Sequence, residues 1–150
     1  MNSGSANRMR MIAAIAVSFL LVAMGASVSA ARDLAGVWMV ADGTTKVRMS
    51  PCGAGMCGNI VWLKSPIDQS GRPRTDSRNP DASKRNRPMI GLRVAALRPD
   101  SDGSWKGTVY NADEGKSFNV SLKMQDERNA TMKGCVLGIL CKNVGWTRAD

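Results

Sequence analysis

The stretch PCGAGMCGNIVW, Pro51–Trp62, decides how the rest of the chain is read. Cys52 and Cys57 stand with four residues between them, Gly53, Gly55 and Gly58 lie around them, and an apolar run follows to Trp62. A disulfide oxidoreductase needs two residues between its cysteines at a helix start, where the dipole lowers the thiol pKa. Here the spacing is wider and both flanks alternate as strands. A zinc site that recruits Cys135 and Cys141 meets unusual spacings and the oxidising compartment argued below. The third reading is a clamp. Pro51 closes the strand KVRMS, the glycines allow a turn, and Gly58 opens the strand NIVWLK, so Cys52 and Cys57 face each other across a four-residue hairpin loop. Opposed residues in antiparallel strands lie near disulfide distance. The same argument pairs Cys135 with Cys141 across VLGIL. A loop this small gives only about 2 kcal/mol in the chain-entropy model, so the pairing rests on geometry rather than on stability.

The compartment follows from the first thirty residues. Arg8 and Arg10 precede MIAAIAVSFLLVAMG, an uncharged run that ends at ASVSA with small residues at Val28 and Ala30. This is the three-part pattern of a signal peptide, and the run is short of the roughly 20 residues a membrane span needs. Residues 1–30 are therefore read as a cleaved signal peptide and 31–150 as one domain, periplasmic or secreted, with no integral membrane span after cleavage. Four cysteines in an exported chain of this size favour disulfides. Without the signal segment, 19 basic residues face 12 acidic ones, a net charge of +7. There is no histidine, which removes the usual general base near neutral pH and the commonest metal ligand.

Beyond residue 33 the hydrophobic pattern has a period of two. SFNVSLKM sets Phe118, Val120, Leu122 and Met124 on one face and Asn119, Ser121 and Lys123 on the other. TKVRMS does the same, and NIVWLK, WKGTVY, ATMKGCV and NVGWTR are further strand candidates. Turn chemistry separates them at Asp42-Gly43, Asp102-Gly103, NADEG 111–115 and QDERN 125–129. Seven to nine short strands with tight turns read as an antiparallel sandwich or barrel. One segment breaks the rhythm: residues 65–88 are polar and rich in proline and arginine. A loop this long in a compact domain is usually functional or disordered.

The two ends carry Gly36-Val37-Trp38 and Trp146-Thr147-Arg148. A glycine and tryptophan in the first strand with an arginine in the last is how lipocalins close one end of a barrel. The guanidinium lies over the indole face and bonds to carbonyls left at the strand ends. LAGVWMV, PCGAGMCGNIVWLKSPID, GRPRTDSRNPD, RPMIGLRV, WKGTVYNADEGKSF and KGCVLGILCKNVGWTR occur in the order that resembles an exported bacterial family, domain of unknown function 2147. The resemblance covers residues 34–149 and implies an all-β, small antiparallel lipocalin-like barrel of about eight strands. It implies no reaction. Gly145 departs from the threonine or other polar residue that this family often carries before the tryptophan.

The candidate site residues each have a bland alternative. Asp76, Asn79 and Asp81, with Asp68 upstream, form turns as readily as they hold a ligand, and nearby arginines oppose a cation. Trp62, Trp105 and Tyr110 sit on strands, where aromatics are more often core than contact. From Arg72 to Arg98 there are eight basic residues and two acidic ones. Such a face suits anionic envelope components, whereas export and the lack of stacking aromatics disfavour nucleic acid. The resulting expectation is a non-enzymatic envelope protein, without metal or cofactor, that binds a small apolar or amphipathic ligand in a barrel. Trp62 and Tyr110 supply apolar contact, Arg87 holds an anionic head group, and Asp76 and Asn79 lie nearby. One alternative is an interaction module with a filled barrel that uses its basic face. Another is a hydrolase or lyase built on Asp76 and Tyr110, which needs a carboxylate of raised pKa.

Overall fold

The computed structural model describes residues 33–136 and 139–150; the expected signal segment, residues 1–30, lies outside them. Eight strands follow one another: β1 Gly36–Val40, β2 Thr45–Cys52, β3 Gly55–Leu63, β4 Arg93–Pro99, β5 Trp105–Asn111, β6 Lys116–Met124, β7 Asn129–Val136 and β8 Leu140–Arg148. Each pairs antiparallel with the next, and β8 returns to β1, so the sheet closes on itself in sequence order. Closure leaves no strand edge open to solvent. The expected all-β barrel of about eight strands is the fold, and it is up-and-down rather than a sandwich. β4 is the strand that alternation does not mark. Val94 and Ala95 are adjacent and both buried, because the pairing with β3 shifts register between Gly58 and Asn59.

The up-and-down order sorts the connections between two ends. Segments 41–44, 64–92 and 112–115 and the tip of the β7–β8 hairpin fall at one end. Segments 33–35, 53–54, 100–104, 125–128 and 149–150 fall at the other. The second end is closed. Trp38 is fully buried, lies opposite Arg148 in the β1–β8 ladder, and has that guanidinium 4.5 Å from its ring centroid. Its indole Nε1 donates to the Leu34 carbonyl at 2.9 Å. Arg148 donates to three carbonyls: Nη1 to Ala35 at 2.6 Å, Nη2 to Asp33 at 3.0 Å and Nε to Glu127 at 2.8 Å. One planar side chain thus ties the N-terminal segment, the β6–β7 turn and β8 together. Gly36 makes room for it: at φ 128° the backbone excludes most side chains, and a Cβ there would overlap Nη1 of Arg148.

Above this plug the closed half is filled. Leu34, Met49, Leu97 and Leu122 are, with Trp38, among the largest side chains that are fully buried. Cys52–Cys57 staples the β2–β3 hairpin at the closed end, and Cys135–Cys141 staples β7–β8 at the open end. Both pairs are the local ones expected, but the first differs in geometry. The β2–β3 turn holds only Gly53 and Ala54, so Cys52 opposes Gly55 and Cys57 opposes Ser50, and the bridge runs diagonally with Cα atoms 5.7 Å apart. Cys135 and Cys141 are directly opposed.

The closure makes a quantitative demand. A cation–π contact contributes about 0.5–2 kcal/mol, and each charge-assisted hydrogen bond about 1.5–3 kcal/mol when fully buried. Because Arg148 is partly solvated, Arg148→Ala is expected to lower unfolding stability by about 2–4 kcal/mol in urea titration. Arg148→Lys should recover less than half of the loss, since an ammonium cannot serve three carbonyls and an indole face in one plane.

Candidate functional site

The open half of the barrel is not filled. A cavity of about 460 Å³ runs in from this end, walled by Val47, Ile60, Val109, Phe118, Val120 and Met132 among others. Its floor includes Trp146 and its rim includes Asp42, Thr44, Asn111, Glu114 and Lys142. Gly134 on β7, which has no side chain, gives it width opposite Lys142 on β8, and both line the space. The volume lies within the roughly 300–1,000 Å³ usual for small-molecule sites, and the walls are apolar with polar groups at the mouth, as such sites are. Tyr110 and Met89 also line it; Met89 comes from the long loop.

That loop is ordered. Two isolated bridges, Ile67 with Pro73 and Thr75 with Pro88, and one 3-10 turn at Ala82–Lys84 fold residues 65–88 back on themselves. Its organising group is Asp76, fully buried. Oδ1 accepts from the Tyr110 hydroxyl at 2.6 Å, and Oδ2 accepts from Arg87 Nη2 and from Asn79 Nδ2, each at 2.7 Å. The Asp76 amide donates to the Arg87 carbonyl, and the Asn79 carbonyl accepts from Arg85 Nε at 2.8 Å. Burial opposes ionisation of Asp76. The hydrogen bonds from Tyr110, Arg87 and Asn79 outweigh it and hold the carboxyl below its ordinary value of 3.8. The same burial, together with the neighbouring carboxylate, raises Tyr110. Nearby, Gly115 takes φ 66°, and a Cβ there would overlap the Arg78 carbonyl, so the loop packs directly on the β5–β6 turn.

The expected ligand residues therefore part company. Tyr110 lines the cavity, and its hydroxyl is committed to Asp76. Asp76, Asn79 and Arg87 are brought together, but toward one another. Arg87 is the ion-pair partner of a buried carboxylate and does not line the cavity, which corrects its assignment to an anionic head group. Trp62 is also reassigned. A register shift between Lys46 and Val47 inserts an extra residue in β3, so Ile60 and Leu63 both point inward and Trp62 turns outward. There it is 38% exposed beneath Lys46, whose Nζ lies 5.4 Å from the ring centroid. Without that bulge, strict alternation would have put Trp62 on the face of Ile60. Trp105 is core. Alternation back from Trp146 puts Val144 and Lys142 on its face, so the sequence carries a signal for Lys142 and none for Gly134. Among the described residues, no three side chains of metal-ligating type come together.

A closed eight-stranded barrel, plugged by an arginine over a tryptophan at one end and hollow at the other, is a lipocalin-like barrel. The chain belongs to the bacterial family described as "Uncharacterized protein conserved in bacteria (DUF2147)", whose model matches residues 36–148. Among solved structures it is similar to the Helicobacter pylori protein HP1028, described as belonging to the lipocalin family. The two share 18% identity with a TM-score of 0.67 over 79% of this chain and 84% of that one. Comparison with curated proteins finds no match.

If Asp76 is the loop's structural hub, its removal should cost stability. Asp76→Ala leaves Tyr110, Asn79 and Arg87 without their acceptor. A loss near the lower end of the roughly 3–5 kcal/mol typical of a broken buried pair is expected, because half-exposed Arg87 can return to water. The lowered pKa fixes the sign of the pH dependence. The contribution of Asp76 is complete above its unfolded value near 3.8 and is lost as pH falls through the lower folded value. Thermal melts between neutral and acid pH should therefore fall less steeply for Asp76→Asn than for the parent protein.

Proposed function

We propose that this protein binds a small apolar or amphipathic ligand in the open half of its barrel and performs no reaction on it. The observation that carries the reading is the apolar-walled cavity of about 460 Å³ over a filled and plugged base. Apolar burial is the selecting force. The rim carries both signs, Asp42 and Glu114 beside Lys142, so no single charge fixes a head group. A filled barrel acting only through its basic face is the competing reading, and the cavity favours the first. The Asp76–Tyr110 pair lends little support to a hydrolase, since its donors lower the carboxyl pKa where an acid catalyst needs it raised. Two disulfides fit an oxidising compartment. We place the protein in the bacterial periplasm or outside the cell, after removal of residues 1–30.

The test is a series of alkyl probes differing only in tail length, followed by competition with an environment-sensitive dye. Each buried methylene should tighten binding by about 0.8 kcal/mol, about fourfold, until the cavity is full. Val120→Trp, which fills the cavity from its wall, should abolish uptake while the protein stays folded. Arg87→Ala should not discriminate between anionic and neutral probes. Affinity that ignores tail length, or survives Val120→Trp, would reject the cavity as the site.

A further inference from the structure

The two ends of the barrel differ in more than packing. Among the described residues, the large apolar side chains left exposed, Trp62, Ile67, Ile90, Val136, Ile139 and Leu140, all belong to the mouth end. Ile139 is 81% exposed and Leu140 69%, both at the tip of the hairpin clamped by Cys135–Cys141. Charge divides the same way. The mouth-end segments 41–44, 64–92 and 112–115 carry seven lysines and arginines against six carboxylates. The closed-end segments carry six carboxylates and only Arg128 as a cation. Beside the hairpin tip, inward-facing Lys142 adds another positive charge at the mouth.

We propose that the mouth end docks on an anionic lipid surface, with Ile139 and Leu140 entering the interfacial region and the basic loop 64–92 lying against the head groups. Exposed apolar side chains beside a loop with an excess of cations, seven against three carboxylates in 64–92, suit such a surface, where hydrophobic insertion and attraction to acidic lipids act together. The closed end, where Lys106 pairs with Asp100 and Asp102 and Arg148 with Asp150, has no such excess of cations to attract acidic lipids, which sets the orientation. Docking in this pose faces the cavity mouth toward the bilayer, which is the source or destination of an amphipathic ligand. The Cys135–Cys141 bridge ties the two strands together next to Ile139 and Leu140. The inference goes beyond ligand binding and does not require the cavity to be loaded.

The test is vesicle flotation with residues 31–150, which hold every strand of the closed barrel and exclude the apolar N-terminal run. Vesicles of phosphatidylcholine alone are compared with vesicles containing phosphatidylglycerol. The protein should float with the anionic vesicles, bind the neutral ones at least about tenfold less, and be released as salt rises. Ile139→Asp and Arg72→Glu alter highly exposed side chains away from the cavity. Each should weaken binding several-fold, whereas Lys123→Glu, near the closed end, should not. Trp62 emission should shift to the blue on binding and remain unshifted in Ile139→Asp. Failure to float with anionic vesicles would overturn the proposal, as would equal binding by Ile139→Asp and the parent. Alkyl-probe uptake in the same preparations tells a failure of docking from a failure of the cavity.

Discussion

Arg148 stacked on Trp38 is the constraint from which the rest of the barrel follows. A closed sheet leaves two open ends, and each must be filled, covered or used. Here one guanidinium caps one end by bonding to carbonyls of Asp33, Ala35 and Glu127 while covering the indole. The cap fixes where the core sits. Leu34, Met49, Leu97 and Leu122 pack above it to full burial, and the unfilled space is displaced to the far end. The asymmetry between a solid half and a hollow half is thus a consequence of putting one plug at one end.

The long loop solves a second problem. Twenty-odd polar residues between β3 and β4 would otherwise float beside the mouth, and Asp76 prevents this by gathering Tyr110 from β5 and Asn79 and Arg87 from the loop itself. A carboxylate this enclosed persists only because its oxygens are satisfied. Met89, carried in by the same loop, completes part of the cavity wall. The loop is therefore part of the wall and also the source of much of the basic charge at the mouth.

Much of this was legible in the sequence because it depends on local pattern. Alternation marked β2, β6 and β7, turn residues marked the hairpins, and both cysteine pairs followed from short spacing. Gly36, Trp38 and Arg148 stood out as a closure although they lie at opposite ends of the chain. What escaped depends on register. The bulge beside Lys46 and Val47 turns Trp62 outward, and no periodicity in NIVWLK announces it. The second irregularity, at Gly58 and Asn59, hid β4 by burying Val94 and Ala95 together. Asp76, Asn79 and Arg87 were found as a group, but sequence could not say that their polar atoms face each other rather than a ligand, since that is fixed by how the loop folds onto β5.

The central claim is that the open half of the barrel is a chamber and not a packing defect that side chains close. The most direct measurement is a crystal structure of protein purified from its own cell envelope. The expected result is a chamber held open between Tyr110, Phe118 and Met132, with density for a small molecule lying along the barrel axis. Phe118, Met132 and Trp146 found in mutual contact, with no space left between them, would contradict it.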